Sequence, residues 1–317
     1  MSVFKIIHIT KYHYEKPVTE SVNEIRIYPF FSEEQEILQH DLTITNHPDV
    51  QVYRDYWGNR VGLFSIIEPN NELVIESKLL IRTTRNSAVE AKPESDFVHL
   101  KTEMTQNLQL IEMAKAELIS GQDEIQKICD KVYNETRSVA EVVSECCAYV
   151  FENYTYSKGI TTIETTIDEI LEHQSGVCQD FAHLLLQILR TMEIPSRYVS
   201  GYICPHKNGM RGEGATHAWV EAWIPGYGWA GVDPTNNIWV TNTHVKLAVG
   251  RNFTDCSVVK GTFKGPARQD LYVFVSVGYE DGVTFEETNQ VQMEKQKKAA
   301  KEVEIAKAAE SQLQQQQ

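Results

Sequence analysis

The sequence predicts an α+β fold: an antiparallel β-sandwich first, then helices packed on an antiparallel sheet. Three observations lead there. Up to about residue 88, β-branched and aromatic residues alternate with polar ones in short runs separated by turn residues, the pattern of half-buried strands. From Leu108 to Ile194, apolar residues recur at helical spacing. After Pro195 the period returns to two, most clearly in the run HAWVEAWI from His217 to Ile224.

With 317 residues, 42% of them hydrophobic and 23% charged, the chain suits two domains with a substantial core. Composition divides it into a β-rich domain over 1–88, a polar linker over 89–106, a core over 107–281 and a charged, Gln-ended tail over 282–317, disordered or a frayed helix. The net charge of −14 disfavours nucleic acid and anionic membranes as partners. Six cysteines without a C-x-x-C pair fit a reduced compartment. No apolar stretch has the character of a signal peptide or a membrane span, so the expectation is a cytoplasmic protein.

Strands are expected at Val3 to Tyr14, Glu24 to Tyr28, Ile37 to Thr45, Gln51 to Asp55, Val61 to Ile67 and Glu72 to Thr84. Trp57-Gly58-Asn59-Arg60 and Pro69-Asn70-Asn71 are the turns between the last three. Helical stripes follow: Leu108, Ile111, Ala114 and Leu118; then Ile125, Ile128 and Val132; then Val139, Val142, Val143, Cys146, Cys147 and Val150. Thr166 and Glu169 have the spacing of a capping box. Ser175 and Gly176 form a turn before a helix that carries Phe181, Leu184, Leu185, Ile188 and Leu189 on its apolar face and stops near Pro195. Strands at Arg197 to Ile203, Thr216 to Ile224 and Trp229 to Asp233 come next, the last two joined by the tight turn Pro225-Gly226-Tyr227-Gly228. Asp255 to Phe263 and Asp270 to Tyr279 read as closing strands.

Cys178 opens the helix after Gly176. A thiol there meets unpaired backbone N–H groups and the positive end of the helix dipole, both of which favour the nucleophilic thiolate. Thiol catalysis also needs a base that reprotonates the leaving group and an acceptor that orients the base. His217, at the start of one strand, and Asp233, at the end of the next, supply these types on neighbouring strands.

The segments SGVCQDFAHL, THAWVEAWIPGYGWAGVDPTNN and GRNFTDCSVVKGTFKG together resemble the bacterial transglutaminase-like family of the papain-like cysteine-enzyme superfamily. The opening IIHITKYHYEKPV is similar to the β-rich N-terminal domain of that family. The resemblance implies a transglutaminase-like, papain-like core with Cys178 as nucleophile, His217 as general base and acid, and Asp233 as the group holding His217. The first oxyanion donor is expected to be the Cys178 backbone N–H. Animal transglutaminases add a tryptophan indole N–H from upstream; the matching region here holds Tyr154 and Tyr156 instead, and a tyrosine hydroxyl, Tyr154 first, is the candidate.

Asp180 and Trp219 are candidates for the substrate cleft, although an acid in a first helical turn is also favoured by the dipole. His183 lies five positions past Cys178 and is read as structural. His8, His13 and the run Cys204-Pro205-His206 lack partner ligands at suitable spacing, so no metal and no cofactor is expected. The leading reading is a thioester-forming hydrolase of peptide or amide bonds, with a peptide or protein as substrate. A glutamine–amine transglutaminase and a non-catalytic partner-binding scaffold are the alternatives.

Overall fold

The first strand, β1 (Ser2–Ile25), is 24 residues long and takes part in both layers of the N-terminal sandwich. The computed structural model describes residues 2–84, 96–134, 136–162, 164–204, 210–212, 216–265 and 268–280, with the backbone of 284–292. Four strands follow β1: β2 (Gln35–Ile44), β3 (Gln51–Arg54), β4 (Arg60–Ile66) and β5 (Asn70–Thr83). Each lies within two residues of the run that alternation marks.

The helical half holds α1 (Phe97–Thr105), α2 (Leu108–Met113), α3 (Gln122–Val132) and α4 (Val139–Asn153). Short strand β6 (Thr155–Tyr156) precedes α5 (Ile167–His173), and short strand β7 (Ser175–Gly176) precedes α6 (Cys178–Thr191). The second sheet contains β8 (Ser196–Ile203), β9 (Thr216–Ile224), β10 (Gly228–Asp233), β11 (Ile238–Trp239) and β12 (His244–Gly250). A short helix α7 (Phe253–Cys256) leads to β13 (Val259–Lys264), β14 (Gln269–Tyr279) and β15 (Thr284–Gln292).

One sandwich layer runs β15-β14-β1-β5-β2 and the other β13-β1-β4-β3, antiparallel throughout. β1 turns the corner between them near Pro17, which has no N–H to lose, and Glu20, whose φ of 54° is left-handed. Tyr12, Val18, Ile25, Phe64, Leu73 and Ile75 fill the space between the layers.

Four expectations are corrected here. The chain does not stay in its core to residue 281: β13 and β14 pair with β1 and return to the sandwich. Alternation marks a strand but does not encode its partner. Residues 284–292 of the expected tail form β15, at the edge beyond β14, whereas 293–317 lie outside the described residues. Part of the expected linker is helix α1, capped by Asp96, whose Glu103 accepts hydrogen bonds from Trp223 Nε1 and the Gly226 N–H. The stripe Leu108, Ile111, Ala114, Leu118 also fails as a face. The helix ends at Met113 and buries Leu110 and Met113, leaving Leu108, Ile111 and Leu118 exposed.

The five-stranded antiparallel sheet has the order β11-β10-β9-β8-β12. Ala218, Val220 and Ala222 on one face of β9 pack in a single core with α6, α3 and α4. The opposite end of that sheet is finished by the sandwich. Phe4, Ile6, Leu79 and Val277 pack on Tyr202, Val245 and Leu247. β12 would otherwise be an open edge, and two side-chain amides substitute for the missing strand. Gln35 donates to the Lys246 carbonyl (2.8 Å) and accepts from its N–H (3.0 Å); Asn59 does the same for Val249 (2.7 and 2.8 Å).

Beside this junction the buried Glu221 carboxylate meets Arg197 (2.7 Å to Nη2) and Lys246. Arg197 also lies over the Trp229 ring, 4.3 Å from its centroid. Burial alone would raise the Glu221 carboxyl, but Lys246 and Arg197 together hold it down to about 2. Its contribution to stability is therefore complete above an ordinary glutamate pKa near 4.5 and is lost as pH falls through about 2. Glu221→Gln leaves two buried cations without their counter-charge and is expected to cost ~3–5 kcal/mol in urea unfolding at pH 7. The gap from wild type should close as the titration is repeated from pH 4.5 down to 2.

Candidate active site

Cys178 is the first residue of α6, as its sequence context requires. Two local devices hold it there. Tyr156 and Gly176 pair in a parallel β6–β7 ladder, which ties the chain just before the cysteine to the end of the α4 segment. Asp180, in the first turn, accepts the Val177 N–H (2.7 Å) and the Thr161 hydroxyl (2.6 Å) through Oδ2. Gly176 makes room for it: a Cβ at that position would lie 2.6 Å from the Asp180 Cβ. Farther along α6, Leu184, Leu185 and Ile188 are fully buried. The Arg190 guanidinium donates to the carbonyls of Met113, Ser196 and Arg251. The helix is thus clamped at both ends, and the thiol has a fixed origin.

His217 and Asp233 come together as the hairpin predicts. His217 Nε2 lies 2.9 Å from Asp233 Oδ2, with both side chains out of contact with solvent. The other ring nitrogen, Nδ1, is buried and has no hydrogen-bond partner among the described residues. It faces the Cys178 thiol, which is close enough to act on the ring's protonation without a well-aligned bond; sites without substrate are often looser in this respect. Burial would lower the His217 pKa, but Asp233 and then Cys178 outweigh it and push it up to about 10. The ring therefore carries its proton through neutral pH. Asp233 moves in the opposite direction: burial would raise it, but His217 and His244 hold it far below the ordinary carboxylate range.

Asp233 has partners that motif reading missed. His244 Nε2 lies 3.3 Å from the same Oδ2, Asn236 Nδ2 donates to it at 2.8 Å, and the Thr235 N–H donates to Oδ1 at 2.9 Å. Thr235 and Asn236 belong to the run VDPTNN and could have been noticed as a turn that bonds back to its own aspartate. His244 lies on β12, a strand that carries no motif, and nothing in the sequence marks it. Asn236 also pairs with the backbone of Arg211 (2.8 and 3.2 Å), which carries the neighbouring Gly212 over the His217 ring. Gly212 has a φ of 81°, and a Cβ there would come 3.0 Å from His217 Nδ1.

The remaining candidates separate. Tyr156 packs edge-on against Phe181, and its hydroxyl lies 3.9 Å from the Cβ position of Gly212, beside the His217 ring. Tyr154 is buried in the helical core, where the groups acting on its hydroxyl are Tyr149 and Glu124. Neither tyrosine lines the cavity at Cys178. Asp180 and Trp219, expected in the cleft, do not line it either. Asp180 is buried as the brace of α6, and Trp219 lies behind His217, its ring stacked at 6.4 Å and also edge-on to His244. The cause is alternation: Trp219 follows His217 on the same face of β9 but one pleat farther in. His183 accepts the Phe253 N–H at 3.2 Å through Nε2, in keeping with a structural role. Pro205 and His206 lie outside the described residues, and Cys204 is buried in apolar packing.

His217, Asp233 and His244 have ligand atoms within 4.8 Å of one another. A metal there would have to displace the proton that Asp233 favours on His217. A cavity of about 240 Å³ opens at Cys178 and His217.

A thiol at a helix N-terminus, with an imidazole facing it and a buried carboxylate behind, is the geometry of a cysteine-nucleophile site. The comparisons with known proteins agree. The family model of the transglutaminase-like superfamily matches residues 126–234, and that of the bacterial transglutaminase-like N-terminal region matches residues 4–82. An uncharacterised protein of Mycobacterium leprae is 32% identical over 290 residues, spanning 86% of this chain and 97% of its own length. Another, from Mycobacterium tuberculosis H37Rv, is 31% identical over 279 residues, or 81% and 86% of the two chains. The crystal structure of a candidate cysteine protease from Cytophaga hutchinsonii covers 92% of both chains at 21% identity with a TM-score of 0.65, a likeness of fold. The chain belongs to the transglutaminase-like superfamily, whose members are cysteine enzymes.

Of the six free cysteines, five are buried and Cys178 is half-buried. Burial pushes the Cys129 thiol up to about 11 and raises Cys146, Cys147, Cys204 and Cys256 as well. Iodoacetamide at mildly acidic pH is expected to alkylate Cys178 at least ~100-fold faster than any other cysteine, given its access and its cationic neighbour. Peptide mapping with mass spectrometry reads the rates, and equal labelling of Cys178 and Cys129 would show that the thiol is not activated.

Proposed function

We propose that this chain is a cysteine hydrolase of peptide or amide bonds that works through a thioester on Cys178. The observation that carries the reading is the buried His217, bonded to Asp233 through Nε2 while its Nδ1, which has no hydrogen-bond partner among the described residues, lies on the side of the Cys178 thiol. In this reading the Cys178 sulfur attacks the substrate carbonyl carbon and a tetrahedral oxyanion forms. The C–N bond then breaks as His217 gives its proton to the departing amine, leaving an acyl thioester and a neutral imidazole. His217 next takes a proton from water as the water oxygen attacks the thioester carbon. The C–S bond breaks, the carboxylic acid leaves, and the thiolate–imidazolium pair is restored. Asp233 keeps the ring oriented and stabilises its charge throughout, with His244 and Asn236 fixing the carboxylate.

The oxyanion takes its first hydrogen bond from the Cys178 N–H, which has no acceptor within its own helix because it opens α6. Tyr156 is the second donor in this reading, favoured over Tyr154 by the position of its hydroxyl beside Gly212. Tyr156→Phe should lower kcat/KM by ~100-fold, the usual effect of removing one oxyanion donor. Tyr154→Phe should leave it within a factor of about three, as expected for a core hydroxyl that touches no reacting atom. The opposite result would reverse the assignment.

A transferase is the second reading, in which a primary amine rather than water clears the thioester. It is favoured by a 90-residue match, at 34% identity, to a protein-glutamine gamma-glutamyltransferase of Pseudomonas aeruginosa, covering 27% of this chain and 14% of that protein. The hydrolase reading is supported by the likeness to the Cytophaga hutchinsonii protein. A peptide library incubated with wild type and Cys178→Ala, with and without a labelled primary amine, separates the two. Cleavage that needs Cys178 and incorporates no amine is the expected result. Ammonia release with amine incorporation would establish the transferase, and no turnover of either kind would favour a binding scaffold.

A further inference from the structure

The long strand β1 changes chemistry along the face it turns toward the core. Phe4 and Ile6 pack on the five-stranded sheet, and Tyr14 belongs to the interior of the sandwich. Between them His8, Thr10 and Tyr12 line the cavity that opens at Cys178 and His217. β14 runs beside β1 in fixed register, Val273 opposite Thr10 and Leu271 opposite Tyr12, and both of these side chains line the same cavity. Two strands of the sandwich therefore meet the candidate site directly, although Thr10 and Cys178 are 168 positions apart in the chain.

The cavity has a definite chemistry. Among its described lining residues none is Asp, Glu, Lys or Arg. His8 is buried and uses both ring nitrogens, Nδ1 with the Tyr202 hydroxyl at 2.9 Å and Nε2 with the Thr10 hydroxyl at 3.3 Å. Burial lowers its pKa to about 4, so it offers no charge at neutral pH. Away from Cys178 and His217, a charged side chain entering this space would lose water and find no fixed counter-ion among the described lining residues, whereas an apolar one would meet Tyr12, Leu271 and Val273. The volume of about 240 Å³ suits one large side chain and not a longer segment.

We propose that β1 and β14 of the sandwich form a specificity pocket for the proposed thiol site, one that takes a large uncharged apolar side chain next to the carbonyl presented to Cys178. The proposal rests on the thioester reading given above and adds the substrate class to it. The sandwich then acts as half of the binding site, and the return of the chain to β1 through β13 and β14 supplies the pocket's second wall.

The test uses peptidyl electrophiles of one scaffold that differ in a single side chain: Leu, Phe, Gly, Lys or Glu. The second-order rate of Cys178 modification is measured on the full chain by mass spectrometry, with Cys178→Ala as the control for site. Leu and Phe probes are expected to react roughly 10- to 100-fold faster than the Gly, Lys and Glu probes, the discrimination that an apolar pocket supplies. Val273→Phe fills the cavity from β14 and should cut the Phe-to-Gly rate ratio at least ~10-fold; Thr10→Leu fills it from β1 and is the second variant if the first does not fold. Equal rates for all five probes, faster reaction with Lys or Glu, or an unchanged ratio in the folded variant would overturn the pocket. Failure of every probe to modify Cys178 faster than Cys129 would instead overturn the thiol-enzyme reading on which the pocket depends.

Discussion

A carboxylate with none of its surface in water stays charged only if donors surround it. Asp233 is such a group, and much of the second half of the chain is arranged around it. Its donors come from β9 in His217, from β12 in His244, and from the turn that follows it in Thr235 and Asn236. Three segments must therefore arrive in one register before this charge can be buried. Asn236 extends the constraint to Arg211, whose neighbour Gly212 lies beside His217 Nδ1. The orientation of that ring toward Cys178 follows from the need to satisfy the carboxylate, and α6, clamped at both ends, supplies the thiol it faces.

The sandwich is no appendage to that arrangement. Gln35 and Asn59 complete the backbone hydrogen bonding of β12, the strand that holds His244 at its start. Glu221, Arg197 and Lys246 join β9, β8 and β12 through buried charge, with the Phe30 ring over both cations. A disturbance at the junction between the domains would thus reach the strands that carry the site. The long β1 serves both layers of the sandwich, so the geometry of the junction and that of the cavity wall cannot vary independently.

Local signals were legible where they had a local cause. The Thr166–Glu169 capping box forms as its spacing implies, and β9 spans Thr216–Ile224, the limits that alternation marks. Cys178 opens its helix because a small-residue turn precedes an apolar run, and His217 meets Asp233 because a tight turn joins their strands. Signals failed where the cause was distant. Leu110 and Met113, not Leu108 and Leu118, are buried on α2, because the surface available to that short helix decides which side faces inward. Trp219, a cleft candidate by sequence, is carried inward on the same face of β9 by the strand period.

By itself the sequence determined the element types, the thiol at a helix start and the hairpin that joins an imidazole to a carboxylate, since each depends on contacts within about twenty residues. Tertiary structure alone decided that His244 completes the shell of Asp233, that the Tyr156 hydroxyl lies beside Gly212 while Tyr154 is buried in the helical core, and that β13 and β14 return to β1. Those outcomes depend on which surfaces remain to be buried and which edges remain unpaired once the helices and sheets meet. A pattern of residues along one segment carries no record of the partner that will supply either.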